Sequence, residues 1–276
     1  MPELPEVETV VRGLAQRVTG DTIKSVWLGS KPEPLKSPAS EIVKTLTNAR
    51  IARIYRMGKH IVFDLESPRR KKSNTSSPSH WVVHLGMSGS LLLCDPAAEP
   101  QKHIHAIVRL TSGRELRFVD PRRFGRLSVS RREGFDAGGV EPLDIGLEIF
   151  TNLFRDRKTP IKSALLNQQL LRGVGNIYAD ESLFRAGIRP RRRATSLTRD
   201  ELRRLYQSLQ QVLTEAIAAG GSSVANYVDS NGDPGSFQFE HRVYGREGEP
   251  CLTCRTPIKR VVIAGRSSHY CPKCQK

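Results

Sequence analysis

Pro2-Glu3-Leu4-Pro5-Glu6-Val7-Glu8-Thr9-Val10-Val11-Arg12-Gly13-Leu14 follows Met1, and two readings of it compete. As structure, it starts a helix. Pro5 suits the first turn, and Glu6 and Glu8 favour the positive end of the helix dipole. Val7, Val10, Val11, Leu14 and Val18 recur at helical spacing, so residues from about 5 to 18 form one amphipathic helix. As chemistry, removal of Met1 gives Pro2 a secondary amine outside any peptide bond. An α-amino group titrates near ~8, so part of it is neutral and nucleophilic at cellular pH. Such an amine attacks an electrophilic carbon to form a covalent iminium, and the adjacent Glu3 carboxylate can move the protons. The stretch alone does not choose between the two.

Gly20-Asp21 ends the helix, and the pattern turns to short runs rich in β-branched and apolar residues. These are Ile23 to Leu28, Ala49 to Tyr55, Ile61 to Leu65, Trp81 to Leu85, Leu91 to Leu93, His105 to Leu110, Glu115 to Val119 and Arg126 to Val129. About eight short strands separated by turns predict an antiparallel sandwich or barrel. Glu66 to Ser79 is polar and low in complexity, and reads as a mobile loop inserted between two strands. Gly134 to Gly146, with Gly138-Gly139 inside it, marks a hinge. Beyond it the period is helical. Thr159-Pro160 starts a helix to about Leu171, Arg172 to Asn176 is a tight turn, and Asn176 caps a second helix over Ile177 to Ala186. Thr198 and Glu201 have capping-box spacing ahead of a long helix that stops at Gly220-Gly221. Ser222 to Glu240 reads as a long flexible loop. The fold class is α+β: residues 1–133 form a β-rich domain with a leading helix, 134–146 a linker, 147–235 a helical domain and 236–276 a terminal hairpin.

A formal net charge of +16 over 276 residues implies a polyanionic partner, nucleic acid before membrane, since no long apolar span or signal peptide is present. A soluble intracellular protein is expected. Four of the five cysteines form Cys251-x2-Cys254-x16-Cys271-x2-Cys274, which specifies a closed tetrahedral site for one structural zinc. Four thiolates leave no open position, so the metal shapes a hairpin and does not catalyse. Cys94, after Leu91-Leu92-Leu93, reads as a core thiol.

Arg266 lies at the hairpin tip, either as a solvated charge or as a group entering a DNA groove. Gly173, Gly175 and Asn176 form a corner where backbone can approach an anion, to which Lys162 can add charge; an ordinary helix corner looks the same. Asp120-Pro121-Arg122-Arg123-Phe124-Gly125-Arg126 offers arginines for phosphates and a ring for wedging between bases, or merely a charged turn. Met57-Gly58-Lys59-His60 and His84-Leu85-Gly86-Met87-Ser88-Gly89 are glycine-bearing corners on strands, weak when read alone.

Together, and in this order along essentially the whole chain, these motifs resemble the formamidopyrimidine-DNA glycosylase family. The resemblance implies a β-sandwich or barrel domain, a helix-two-turn-helix module and a four-cysteine zinc finger. It implies a monomeric, cytoplasmic enzyme of base excision repair that acts on double-stranded damaged DNA and excises oxidised purines, 8-oxoguanine and formamidopyrimidines. The base is flipped out, Pro2 forms a Schiff base at deoxyribose C1′, and β- and δ-elimination cut the strand. By position, Glu3 is the proton-handling acid, Glu6 supports the site, and Lys59 contacts phosphate and takes part in catalysis. His105, Arg123, Lys162, Asn176 and Arg266 contact DNA, and Met87, Arg122 and Phe124 fill the void in the stack. The Ser222 to Glu240 loop closes over the base. Two rivals remain: a sister glycosylase of the endonuclease VIII type that prefers oxidised pyrimidines, and a non-catalytic zinc-finger DNA-binding protein.

Overall fold

The computed structural model describes residues 1–67, 79–130 and 135–276. The expected inserted loop therefore lies, over 68–78, outside the described residues, as does Gly134 of the expected hinge. Contacts divide the chain into two units, Met1–Asp136 with Gly220–Gly235, and Ala137–Ala219 with Ser236–Lys276.

The first unit opens on helix α1 (Leu4–Val18) and continues through β1 (Ile23–Leu28), α2 (Ala39–Leu46), β2 (Arg50–Met57), β3 (His60–Glu66), β4 (Ser79–His84), β5 (Ser90–Cys94), β6 (Ile104–Leu110), β7 (Glu115–Val119) and β8 (Arg126–Ser130). The strands form two four-stranded antiparallel sheets, ordered β1-β6-β7-β5 and β2-β3-β4-β8. Alternation decides which face is buried: Ile61, Phe63 and Leu65 of β3 and Trp81 and Val83 of β4 share one core with Ala106 and Val108 of β6 and Leu116 and Phe118 of β7. Val7, Val10, Val11, Leu14 and Val18 lay the apolar stripe of α1 into that core. The β8 edge is covered by Pro34 to Lys36, whose carbonyl and amide bond Leu127.

The second unit comprises α3 (Leu147–Phe154), α4 (Ile161–Leu165), α5 (Asn176–Ala186), α6 (Arg199–Ala218) and the hairpin of β9 (Lys259–Ile263) and β10 (Arg266–Tyr270). The capping box of Thr198 and Glu201 starts α6 as expected. Two helix expectations need correction. The helix after Pro160 has five residues and stops at Leu165, because Asn167 to Gly175 fold into a turn held by Gln168. Asn176 is the first residue of α5, with Gly175 at the cap position, and its amide is used elsewhere. Among the described residues, no helix is long and apolar enough to cross a membrane.

Candidate functional site

In the first unit, the chain start is built into the end of α1. Glu3 and Glu6 form a reciprocal capping box, with the Glu3 N–H donating to Glu6 Oε2 at 2.7 Å. The other oxygen, Oε1, accepts from the Ser222 N–H at 2.7 Å, and the Tyr227 hydroxyl donates to the Glu6 carbonyl at 3.1 Å. Burial, reinforced by the Glu6 charge, pushes the Tyr227 phenol above its ordinary range, so it stays a donor. Pro2, Glu3 and Glu6 are all buried. One carboxylate thus ties Pro2-Glu3 to a segment far away in sequence.

That segment corrects the expectation of a flexible loop over Ser222 to Glu240. Ser222, Tyr227 and Ser230 are buried. The Leu93 N–H donates to the Ser230 carbonyl at 2.9 Å, and the Arg17 guanidinium bonds both Ser230 and Asn231. Between these anchors Val224 to Asn226 stand exposed as a tip, and Asn231 to Pro234 form a second exposed turn. Phe237 to Glu240 form a 3-10 turn in the second unit. The Glu6 tie also explains Gly221, which has φ +83° and whose added Cβ would meet Glu6 Oε1 at 2.8 Å and Cγ at 2.9 Å. We expect Gly221→Ala to destabilise the first unit by about 1–3 kcal/mol, read by denaturant melting of tryptophan fluorescence. An unchanged midpoint would show that Glu6 relaxes without cost.

Lys59 occupies the two-residue turn joining β2 to β3, closed by the Met57–His60 pair with Gly58 at φ +58°. It is buried. The turn is fixed by a residue that sequence reading missed. Arg56 donates through Nε to Glu8 Oε2 at 2.9 Å and through Nη1 to the Gly58 carbonyl at 3.1 Å, locking the Lys59 hairpin to α1. Beside it, His60 and His84 lie with ring centroids 4.9 Å apart. Burial, then the charges of His60, Arg126 and Lys59, bring His84 down to about 4. The Gly86 N–H donates to its Nδ1 at 3.0 Å, which suits the neutral ring.

Asp120 organises the next feature. Its buried carboxylate accepts from Ser88 Oγ at 2.6 Å, Arg122 N–H at 3.2 Å and Gly125 N–H at 2.7 Å. Gly86, at φ +66°, packs against the Phe124–Gly125 peptide, where a Cβ would approach to 2.5 Å. The result is an exposed cluster: Met87 (45 %) and Phe124 (51 %) protrude, and the Arg122 guanidinium lies 4.9 Å from the Phe124 ring centre. Arg123, at φ +57°, pairs with Glu33 at 2.5 Å. His105 is buried behind the turn, its Nε2 donating to the Asp120 carbonyl at 2.9 Å. It supports the turn from behind.

In the second unit, Asn176 Nδ2 donates to Ser267 Oγ at 3.2 Å, and Arg266 is exposed where β10 begins. Lys162 corrects the expectation of a phosphate contact. It is fully buried, its Nζ 2.7 Å from Asp180 Oδ1 and donating to the Ser267 carbonyl at 2.5 Å. Glu181, next in sequence, accepts from the N–H groups of Arg242, Val243 and Tyr244 at 2.8–2.9 Å. The sulfur atoms of Cys251, Cys254, Cys271 and Cys274 all lie within 4.8 Å of one another. Sulfurs around a tetrahedral ion at ~2.3 Å stand ~3.8 Å apart. The Cys251–Cys274 and Cys254–Cys271 separations of 3.9 and 3.4 Å therefore fit a four-thiolate metal site.

Three family models match the chain in succession. The formamidopyrimidine-DNA glycosylase N-terminal domain covers residues 1–127, the H2TH domain of that glycosylase 139–228, and a zinc finger found in FPG and IleRS 248–276. A formamidopyrimidine-DNA glycosylase of Solibacter usitatus is 45% identical over 284 residues, covering 100% of both chains, and one from Listeria monocytogenes is 39% identical with the same coverage. Among solved structures, the MutM (Fpg) protein of Thermus thermophilus superposes with a TM-score of 0.85 at 41% identity, covering 99% of this chain and 98% of that one. Lactococcus lactis Fpg in complex with abasic-site DNA gives a TM-score of 0.88 at 32% identity, covering 99% of each. The same Lactococcus protein is also seen with DNA containing an oxidised pyrimidine, again with a TM-score of 0.88 at 32% identity and complete coverage of both chains.

Proposed function

The chain belongs to the formamidopyrimidine-DNA glycosylase family, and from that premise we propose that it excises oxidised purines from duplex DNA and then cuts the strand at the abasic site. The observation that carries this reading is the built-in chain start: Pro2-Glu3 is buried at the head of α1 and pinned by Glu6 to Ser222. A nucleophile needs a fixed position, and a mere helix start would not need the second tie.

With Met1 removed, the Pro2 nitrogen bonds to C1′ of the flipped nucleotide, the C1′–N bond to the base breaks, and the base departs with a proton. The nitrogen loses its own proton. O4′ then leaves C1′ as a hydroxyl, protonated by Glu3, and an iminium remains. Loss of a C2′ proton expels the 3′ phosphate, loss of a C4′ proton expels the 5′ phosphate, and water frees Pro2. Lys59, on the hairpin locked by Arg56, handles phosphate and protons at this centre. Met87, Arg122 and Phe124 fill the vacated stack, and the Val224 to Asn226 tip covers the base. Arg123, Asn176 and Arg266 hold phosphates. The four cysteines hold one zinc ion, which supplies folding free energy to the hairpin. The protein acts as a monomer in the cytoplasm.

The test is whether purified protein nicks an 8-oxoguanine duplex without added metal. No nicking would leave a non-catalytic DNA-binding protein. An oxidised-pyrimidine duplex run alongside tests the second substrate class, which the Lactococcus complex makes specific. Affinity for undamaged duplex should also fall steeply with salt. For roughly four to six neutralised phosphates, log K against log salt should slope by about −4 to −5. A slope near zero in a titration series would remove the DNA partner.

A further inference from the structure

The outer edge of the zinc-finger hairpin is closed by an ion pair where another strand would ordinarily lie. Ala264 and Gly265 both have positive φ, +47° and +75°, and form a two-residue turn closed by the Ile263–Arg266 pair. In such a hairpin the closing pair exchanges hydrogen bonds and the pattern alternates from there. Ser267 and His269, opposite Val262 and Arg260, therefore point their backbone groups away from β9. Buried strand-edge groups without partners are costly. Here the Ser267 carbonyl receives Lys162 Nζ at 2.5 Å, and the His269 N–H donates to Asp180 Oδ2 at 2.8 Å. Lys162 and Asp180 pair with each other at 2.7 Å, both side chains essentially without solvent contact. His269 Nδ1 lies 3.3 Å from the same carboxylate oxygen, and Asn176 takes the Ser267 hydroxyl.

We propose that Asp180, acting through Lys162, is the positioning residue that sets the tip arginine, Arg266, relative to Asn176 at the start of α5. The inference rests on the DNA-binding reading of Arg266 given above. Asp180 needs no contact with DNA. Its carboxylate pairs with Lys162 Nζ, and together they grip the residue after Arg266 and the one two further on. A strand held at 267 and 269 cannot slide or twist at 266 without breaking a buried charge pair.

The test is a double-mutant cycle on the full-length, metal-loaded chain, using Arg266→Ala and Asp180→Asn. The readouts are the salt slope on undamaged duplex, and KM and kcat for nicking of damaged duplex. Arg266→Ala should reduce the magnitude of the salt slope by about one. Asp180→Asn should weaken the slope in the same direction, raise KM by about tenfold, more than it lowers kcat, and add little in the double variant. Lys162→Arg, which keeps the charge, should retain most of the wild-type slope. Metal content and the cobalt-substituted thiolate absorption band report folding of the finger and should match wild type. An Asp180→Asn protein with intact finger and an unaltered slope overturns the proposal, as does full additivity with Arg266→Ala. If Arg266→Ala itself changes nothing, the underlying reading of the finger as a DNA contact fails, and the proposal falls with it.

Discussion

A hydride donor added during turnover of a damaged duplex should weld this protein to its DNA, and the bond should map to Pro2 with Met1 absent. The iminium is the one intermediate in the proposed path that hydride reduces to a stable amine, so trapping reports the nucleophile directly. Blocking Met1 removal should abolish both the adduct and strand cutting, because the Pro2 nitrogen then sits in a peptide bond and has no lone pair to offer. Glu3→Gln should keep binding to an abasic-analogue duplex but slow base excision by about 10²-fold or more, the usual worth of a positioned acid–base group. The geometry makes the comparison clean. The Glu3 backbone N–H is held by Glu6, and Glu6 by Ser222, so the substitution leaves both ties in place. The competing amine is Lys59, buried on a hairpin turn clamped by Arg56. An adduct on the Lys59 peptide, or excision by a chain with a blocked N-terminus, would sink the role of Pro2 and leave base excision itself standing.

What sequence could reveal about this molecule follows the range of the interactions involved. The strands of the first unit are each within about two residues of the expected runs, because alternation over five to eight residues is a local signal of which face is buried. The leading helix, Leu4–Val18, starts within one residue of the expected position, with Pro5 in its first turn. The two CxxC pairs converge because knuckle spacing is local and the hairpin between them is short. Misreadings fall where a distant partner decides. Ser222 to Gly235 has the Gly, Asn and Ser content of a free loop, yet it is held by Glu6 and Arg17, more than 200 residues earlier. Lys162 reads as a surface cation until Asp180 is seen beside it. Arg56 carried no signal at all, since neither its Glu8 nor its Gly58 contact lies in a recognisable pattern. A charged residue two or three positions from a glycine-bearing strand corner is the hint to seek elsewhere.

Loss of the metal site should separate the two units functionally. Cys251→Ser removes one of four thiolates, and a three-thiolate hairpin of this size keeps little folding drive, since structural zinc contributes on the order of 10 kcal/mol to such folds. Cys251 and Cys271 are core residues of the hairpin as well as members of the four-sulfur cluster, packed with Val243, Ile258 and Phe184, so the hairpin has little other apolar material to fall back on. The tip arginine then loses its fixed position, and affinity for damaged duplex should drop by about 10²-fold or more, as expected when several phosphate contacts go at once. The first unit should be untouched, and it carries its own reporter. Both tryptophans of the chain, Trp27 and Trp81, lie within it, and Trp81 is buried against Phe63 in the shared core. Denaturant melting followed by tryptophan fluorescence should therefore give the wild-type midpoint in Cys251→Ser protein while binding is lost. Metal analysis should return one zinc per wild-type chain and less than half of that in the variant. Iron in place of zinc would overturn the metal assignment, because four thiolates in this geometry accept either ion. Tight binding by a metal-free variant would detach the finger from the DNA grip and leave phosphate contacts to the first unit and the α5 corner.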